Sequence, residues 1–203
     1  MNKGIISDAI RLLVITLIAG LALGFVYNLT KDPIAAQQLK AKQEAYAVVF
    51  ADADSFENVD FTEDEIASLT SANGIEGVTI AEIMEAKDAS GNSLGYVFDV
   101  TSSKGYGGDV ELAVGITSDG IVNGYDTLSI SETAGLGMNA TKDDFKNEFK
   151  GIQPADGQIS VVKDGTGASD DAKIDAISGA TITSRAVTSC VNTCLAYTLE
   201  GGK

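Results

Sequence analysis

Nineteen consecutive uncharged residues, Leu12 to Thr30 (LLVITLIAGLALGFVYNLT), separate Arg11 from Lys31. At ~1.5 Å of rise per residue such a run nearly crosses a hydrocarbon core ~30 Å thick. In lipid the backbone must satisfy its own hydrogen bonds, so a run of this kind has to be a helix. Tyr27 sits near one end, where an interfacial aromatic belongs. Gly20 and Gly24 form a small-xxx-small pair, which either permits close packing on another membrane helix or is incidental. A cleaved signal peptide is the competing reading, because the run is N-terminal and follows a basic start. The chain, numbered from Met1, is expected to keep the segment. Lys3 and Arg11 on one side, and Lys31, Lys40 and Lys42 on the other, leave the orientation undecided by charge.

The rest of the 203-residue chain is long enough for one domain on that anchor. Its net charge is −15 and its pI near 4.2, which argues against binding nucleic acid or anionic headgroups. The absence of histidine removes the commonest general base and metal ligand. Cys190 and Cys194 lie four apart on one helical face and are read as small core residues; two thiolates alone make a poor metal site. No catalytic residue and no metal site is assigned.

Asp32-Pro33 is expected to start or kink a helix, and Ile34 to Phe50 reads as a juxtamembrane helix with Leu39, Ala45, Tyr46, Val49 and Phe50 as candidate buried positions. Residues 51–75 are acidic and read as irregular apart from one short helix behind a Thr62-x-x-Glu65 capping box. From Val78 the pattern turns to strands. Val78–Ala86 and Leu94–Ser102 flank one hairpin loop, and Val110–Thr117 and Ile121–Leu128 another, giving an antiparallel sheet of about four strands. A short helix capped at Thr141 follows over Asp143–Lys150, then strands at Ile159–Lys163 and Lys173–Ile177 around Asp164-Gly165. The fold class is α+β, and the absence of G-x-G-x-x-G disfavours a dinucleotide-binding α/β fold. The organisation reads as an anchor over 1–31, a connector over 32–75 and a folded domain over 76–203.

The chemistry concentrates near the C-terminus. Asp175-Ala-Ile-Ser178-Gly179-Ala180-Thr181 ends where a helix begins, since Ile182 to Leu199 has no Gly or Pro and carries Val187, Val191, Cys194 and Leu195 at helical spacing. Ser178 is the expected N-cap and Gly201-Gly202 the stop. Free N–H groups and the positive end of the dipole suit a phosphate, and the Thr181 hydroxyl lies in the first turn. An ordinary Ser-capped helix explains the same residues. Two Gly-rich loops accompany it: Lys104-Gly-Tyr-Gly-Gly108 and Ser131-Glu132-Thr133-Ala134-Gly135-Leu136-Gly137. Neither is a P-loop, and each can be merely a turn.

The D-x-x-S-G-A-T signal, Thr183-Ser184 behind it and the loop at Glu132–Gly137 together resemble the covalent-flavin proteins. These are the FMN-binding subunits of Rnf-type and Na⁺-pumping NADH:quinone-type electron-transport complexes. The resemblance spans roughly 104–196. It implies one FMN per chain, joined through its phosphate to Thr181. Ser178, Gly179, Ala180, Thr183, Glu132, Thr133, Gly135 and Leu136 would contact the cofactor, and Asp175 would be read by a flavin transferase. From its place one turn into the helix, Arg185 is a candidate partner of the phosphate, with an exposed partner or an i,i+4 contact equally open. The chain departs from the family in having Ala134 where proline is usual and Ile130 where histidine is frequent. The resemblance further implies an electron carrier, inert alone, in an ion-translocating ferredoxin:NAD⁺ oxidoreductase. Its partners are other membrane and redox subunits and the bilayer, with the large domain on the extracytoplasmic side of the cell membrane. The alternatives are the corresponding NADH:quinone reductase subunit, a stand-alone anchored flavoprotein, and a pilin-like structural subunit. The last needs a glutamate five residues after Gly4, where this chain has Ala9.

Overall fold

The computed structural model describes residues 3–170 and 172–201. Met1 and Gly202, on which two of the expectations above fall, lie outside them. The chain divides into two compact units, Met1–Ala41 and Lys42–Lys203. Helix α1 (Lys3–Val49) is continuous through Pro33, so no helix starts there. Proline removes only one ladder hydrogen bond, and apolar or helix-favouring residues on both sides sustain the rest.

In the first unit the apolar side chains are exposed on all sides, Leu21 and Leu23 among them at 67% and 72%. Among the described residues this is the one helix long and apolar enough to cross a membrane. Three of its polar side chains bond back to its own carbonyls: Thr16 Oγ1 to Leu12 O (2.9 Å), Asn28 Nδ2 to Gly24 O (3.0 Å) and Thr30 Oγ1 to Val26 O (2.9 Å). These three groups donate without water, as a lipid environment demands. Leu39 is exposed, against expectation.

The second unit is built on an antiparallel meander, β1 (Ser55–Asn58), β2 (Val78–Lys87), β3 (Ser93–Ser102), β4 (Val110–Thr117) and β5 (Val122–Ile130), hydrogen-bonded in that order. Period-2 alternation gives the sheet two different faces. Phe98, Val100, Leu112, Val114 and Ile116 point to a large core that includes helix α4 (Thr181–Ala196), whose Val187, Val191 and Leu195 are fully buried. At ~1.5–3 kcal/mol per buried large apolar side chain, this face dominates the stability of the unit. Ala86, Val97 and Ala113 point the other way, onto Ala45, Tyr46, Val49 and Phe50 of the end of α1. Small residues are required there. A Cβ on Gly115 would stand 3.0 Å from Val49 Cβ.

A polar cluster sits on this second face. Lys42 Nζ lies 2.7 Å from both Glu82 Oε2 and Asp99 Oδ2, and Tyr46 donates its hydroxyl to Glu82 Oε2 (2.7 Å). Burial works against the Lys42 charge, but hydrogen bonds to Asp99 and Glu82 outweigh it and raise its pKa. Burial likewise opposes the Glu82 charge, and Lys42 and Tyr46 reverse it, so its pKa falls. Burial and the Asp99 charge push Glu111 up.

Helix α2 (Glu63–Ala72) carries the expected capping box: Thr62 Oγ1 accepts from Glu65 N–H and Glu65 Oε2 from Thr62 N–H. Strand β1, inside the segment read as irregular, adds a fifth strand to the sheet. Helix α3 (Asp143–Lys146) passes into a 3-10 turn, Asn147–Phe149, and is preceded by Lys142, not capped by Thr141. Strands β6 (Ser160–Val162) and β7 (Lys173–Asp175) pair in parallel, joined through a 3-10 turn at Gly167–Ser169.

Candidate functional site

The start of α4 is held in an unusual way. Ser178, the expected N-cap, is exposed in a turn closed by Ala180 N–H to Ile177 O (2.9 Å), with Gly179 at φ +75°. The N-cap is Ala180, and no side chain caps the helix. Ser184 does the tying instead: its buried Oγ accepts from Ile177 N–H (3.0 Å) and donates to Ala180 O (3.0 Å). The N–H groups of Thr181, Ile182 and Thr183, which an α-helix leaves without intrahelical acceptors, therefore remain available.

These residues open onto a cavity of about 800 Å³. Its walls come from four pieces of chain: Ala176–Thr183, the loop residues Glu132, Thr133, Leu136 and Gly137, Tyr106, and Lys163. Cavities of this size hold cofactor-sized molecules. Thr183 is among the lining residues, and its Oγ1 is buried without a partner. A buried hydroxyl without a partner carries a cost that a ligand acceptor would relieve.

The two Gly-rich loops meet around Glu132. Its Oε1 accepts from Tyr106 N–H (2.7 Å). A Cβ on Gly107 would stand 2.1 Å from Ser131 O, so glycine lets the loops touch. A Cβ on Gly137 would stand 2.6 Å from Glu132 Oε2 and 2.7 Å from Thr183 Oγ1, which places both side chains at one point in the wall. Thr133 O accepts from Leu136 N–H (3.1 Å), closing a turn in which Gly135 has φ +77°. Ala134 precedes that glycine, a turn position that favours proline. Tyr106, Leu136 and Ile182 leave 72%, 43% and 50% of their surface exposed, forming an apolar rim.

Of the expected site residues, the fold brings Thr181, Ser178, Gly179, Ala180, Thr183, Glu132, Thr133 and Leu136 into this one cavity. Gly135 is not among its lining residues; its part is the left-handed turn. Arg185 is exposed and also does not line it. Asp175 faces a separate cavity of about 280 Å³ with Asn139, Lys142 and Glu148. Its N–H donates to Glu148 Oε2 (2.6 Å), while its own Oδ1 is buried without a partner. Burial pushes the Glu148 carboxyl up, against the pull of that N–H. Sequence reasoning missed Lys163 and Ile182. An exposed isoleucine beside the motif threonine is the one available signal, and for Lys163 there is none. Cys190 and Cys194 are buried and unpaired, and desolvation pushes both thiols up, so both serve as core.

The geometry of the cavity suits FMN. An uncapped helix start and a hydroxyl in its first turn offer donors of the kind a phosphate takes, and the apolar rim offers a surface of the kind a flat ring takes. The family described as FMN-binding domain matches residues 105–196, and the RnfG N-terminal region matches 1–49. Fold and site thus define an FMN-binding domain carried behind an apolar N-terminal helix. The chain is 36% identical over 188 residues to the G component of the proton-translocating ferredoxin:NAD(+) oxidoreductase complex of Clostridium ljungdahlii, covering 92% of this chain and 88% of that one. It is 30% identical to the G component of the ion-translocating oxidoreductase complex of Methanosarcina acetivorans, covering 97% and 95%. The Na(+)-translocating counterpart from Acetobacterium woodii is 32% identical, covering 94% and 89%. The fold resembles the C component of the Na(+)-translocating NADH-quinone reductase of Parabacteroides distasonis, with a TM-score of 0.53 and 21% identity over 83% of this chain and 96% of that one. The chain belongs to the RnfG family, the G components of Rnf-type ion-translocating oxidoreductase complexes. That membership sets aside the pilin-like reading.

Proposed function

We propose that the chain is the FMN electron carrier of a membrane-bound ion-translocating ferredoxin:NAD⁺ oxidoreductase complex, with one FMN esterified through its phosphate to Thr181 Oγ1. The observation that carries this reading is the Thr181 hydroxyl in the first turn of an uncapped helix, on the wall of a cavity of about 800 Å³. Bound FMN supplies the redox chemistry, taking up and releasing electrons between neighbouring redox subunits. The residues of the chain bind, orient and shield. The free N–H groups of the first turn and the Thr183 hydroxyl hold the phosphate end. Leu136 and Ile182 cover apolar surface, and the Glu132–Tyr106 bond keeps the two loops together. No general base is needed, and the chain has no histidine to act as one.

The anchor over 1–31 holds the protein in the membrane, and the connector over 32–75 links it to the flavin domain over 76–203. The domain faces the extracytoplasmic side, where a covalent bond keeps a scarce cofactor from being lost. Asp175, which lines the separate smaller cavity, is read by the flavin transferase during maturation. The test is co-expression with a flavin transferase, followed by a denaturing gel viewed for flavin fluorescence. The wild-type band fluoresces and Thr181→Ala does not; a fluorescent Thr181→Ala band refutes the assignment.

A further inference from the structure

We infer that Lys163 is the cation that recognises the flavin's phosphate, a role that rests on the FMN site proposed above. Among the described residues lining the cavity, Lys163 is the one positive side chain. Glu132 is the one carboxylate, and its Oε1 is already engaged by Tyr106 N–H. The lysine is placed by the backbone. Val162 O accepts from Ala176 N–H (2.8 Å), so the residue after β6 is fixed beside the segment that runs from β7 to Thr181. Lys163 makes no ion pair among the described residues, whereas Lys42, Lys87, Lys104, Lys146 and Lys173 each face a carboxylate.

An unpaired ammonium on the wall of this cavity has a physical purpose in a chain of net charge −15. The mean field of the protein repels a phosphate, and helix N–H groups offer only partial charges, so a full positive charge nearby sets whether the anion is held. Arg185, the cation the sequence suggests, is not among the residues that line the cavity. Lys163 therefore discriminates phosphorylated flavins from riboflavin.

The experiment uses the full chain in detergent carrying Thr181→Val, which cannot be esterified at that position, titrated with FMN and with riboflavin by flavin fluorescence. The parent binds FMN more tightly. Adding Lys163→Met weakens FMN on the order of tenfold and leaves riboflavin within about twofold, as expected for one charge-assisted contact. Adding Lys163→Arg retains the preference, and raising the salt shrinks it in the parent. Because Lys163 is exposed, neither substitution disturbs the core. Equal weakening of both flavins, or an unchanged FMN affinity, overturns the role of Lys163 while the flavin site stands. Failure of the parent to bind either flavin overturns the site itself and this inference with it.

Discussion

Gly137 is the point where the cavity wall is most sensitive to a single methyl group. An added Cβ there lies 2.6 Å from Glu132 Oε2, 2.7 Å from Glu132 Cβ and 2.7 Å from Thr183 Oγ1. Real Cβ atoms do not approach this closely, so Gly137→Ala must displace the loop at Glu132, the first turn of α4, or both. Overpacking of this kind costs ~1–3 kcal/mol. Moving Glu132 also weakens its bond to Tyr106 N–H, a solvent-exposed contact worth ~0.5–1 kcal/mol. A combined loss of ~1.5–4 kcal/mol lowers Tm by about 3–16 °C for a chain of this size. The backbone at Gly137 has no positive φ, so strain does not confuse the result. The assay is thermal unfolding of the flavin-loaded protein in detergent, with the flavin spectrum followed in parallel. The expected result is a lower Tm together with a shifted or less structured flavin band. An unchanged Tm and spectrum would mean that Glu132, Gly137 and Thr183 do not meet, and the construction of the cavity would be wrong.

Ser184→Ala removes both hydrogen bonds that tie the turn to the helix and leaves Ile177 N–H without its acceptor. It is expected to cost ~1–3 kcal/mol and to lower the yield of flavin attachment, read as the fluorescent fraction of purified protein. The Lys42 cluster sets a pH window. The raised Lys42 pKa stabilises below its unfolded value of 10.5 and is lost as pH rises through the folded value. The lowered Glu82 pKa stabilises above 4.5 and is lost as pH falls through the folded value. Glu111 has the opposite sign: burial and then the Asp99 charge raise its pKa, so protonation as pH falls relieves both costs. Urea midpoints should therefore plateau between these limits, and Glu111→Gln should add up to ~1 kcal/mol at neutral pH; a Glu111→Gln variant less stable than wild type contradicts the cluster.

The strands from β2 to β5 were legible because alternation and hairpin loops act over short range, and β4 matches its expected bounds residue for residue. Strand β1 was not, because Ser55–Asn58 is a polar edge strand whose pairing with β2 comes from the fold. The start of α4 was legible in position but not in mechanism. Local chemistry favours Ser178 as a cap, yet the bond is made by Ser184 from inside the helix. Glu132 and Thr183 were named for a site from their motifs, but their meeting at Gly137 depends on the loop and the helix closing together. Lys163 had no signal at all. It lies 18 residues before Thr181, just past a three-residue strand, and the parallel β6–β7 pairing carries it to the cavity.

The most direct measurement is the intact mass of the protein extracted from its native membrane, followed by mapping of the modified peptide. A gain on the order of 440 Da, located on residue 181, is the expected result. A mass equal to the bare polypeptide, or a flavin found on Thr183, contradicts the central assignment.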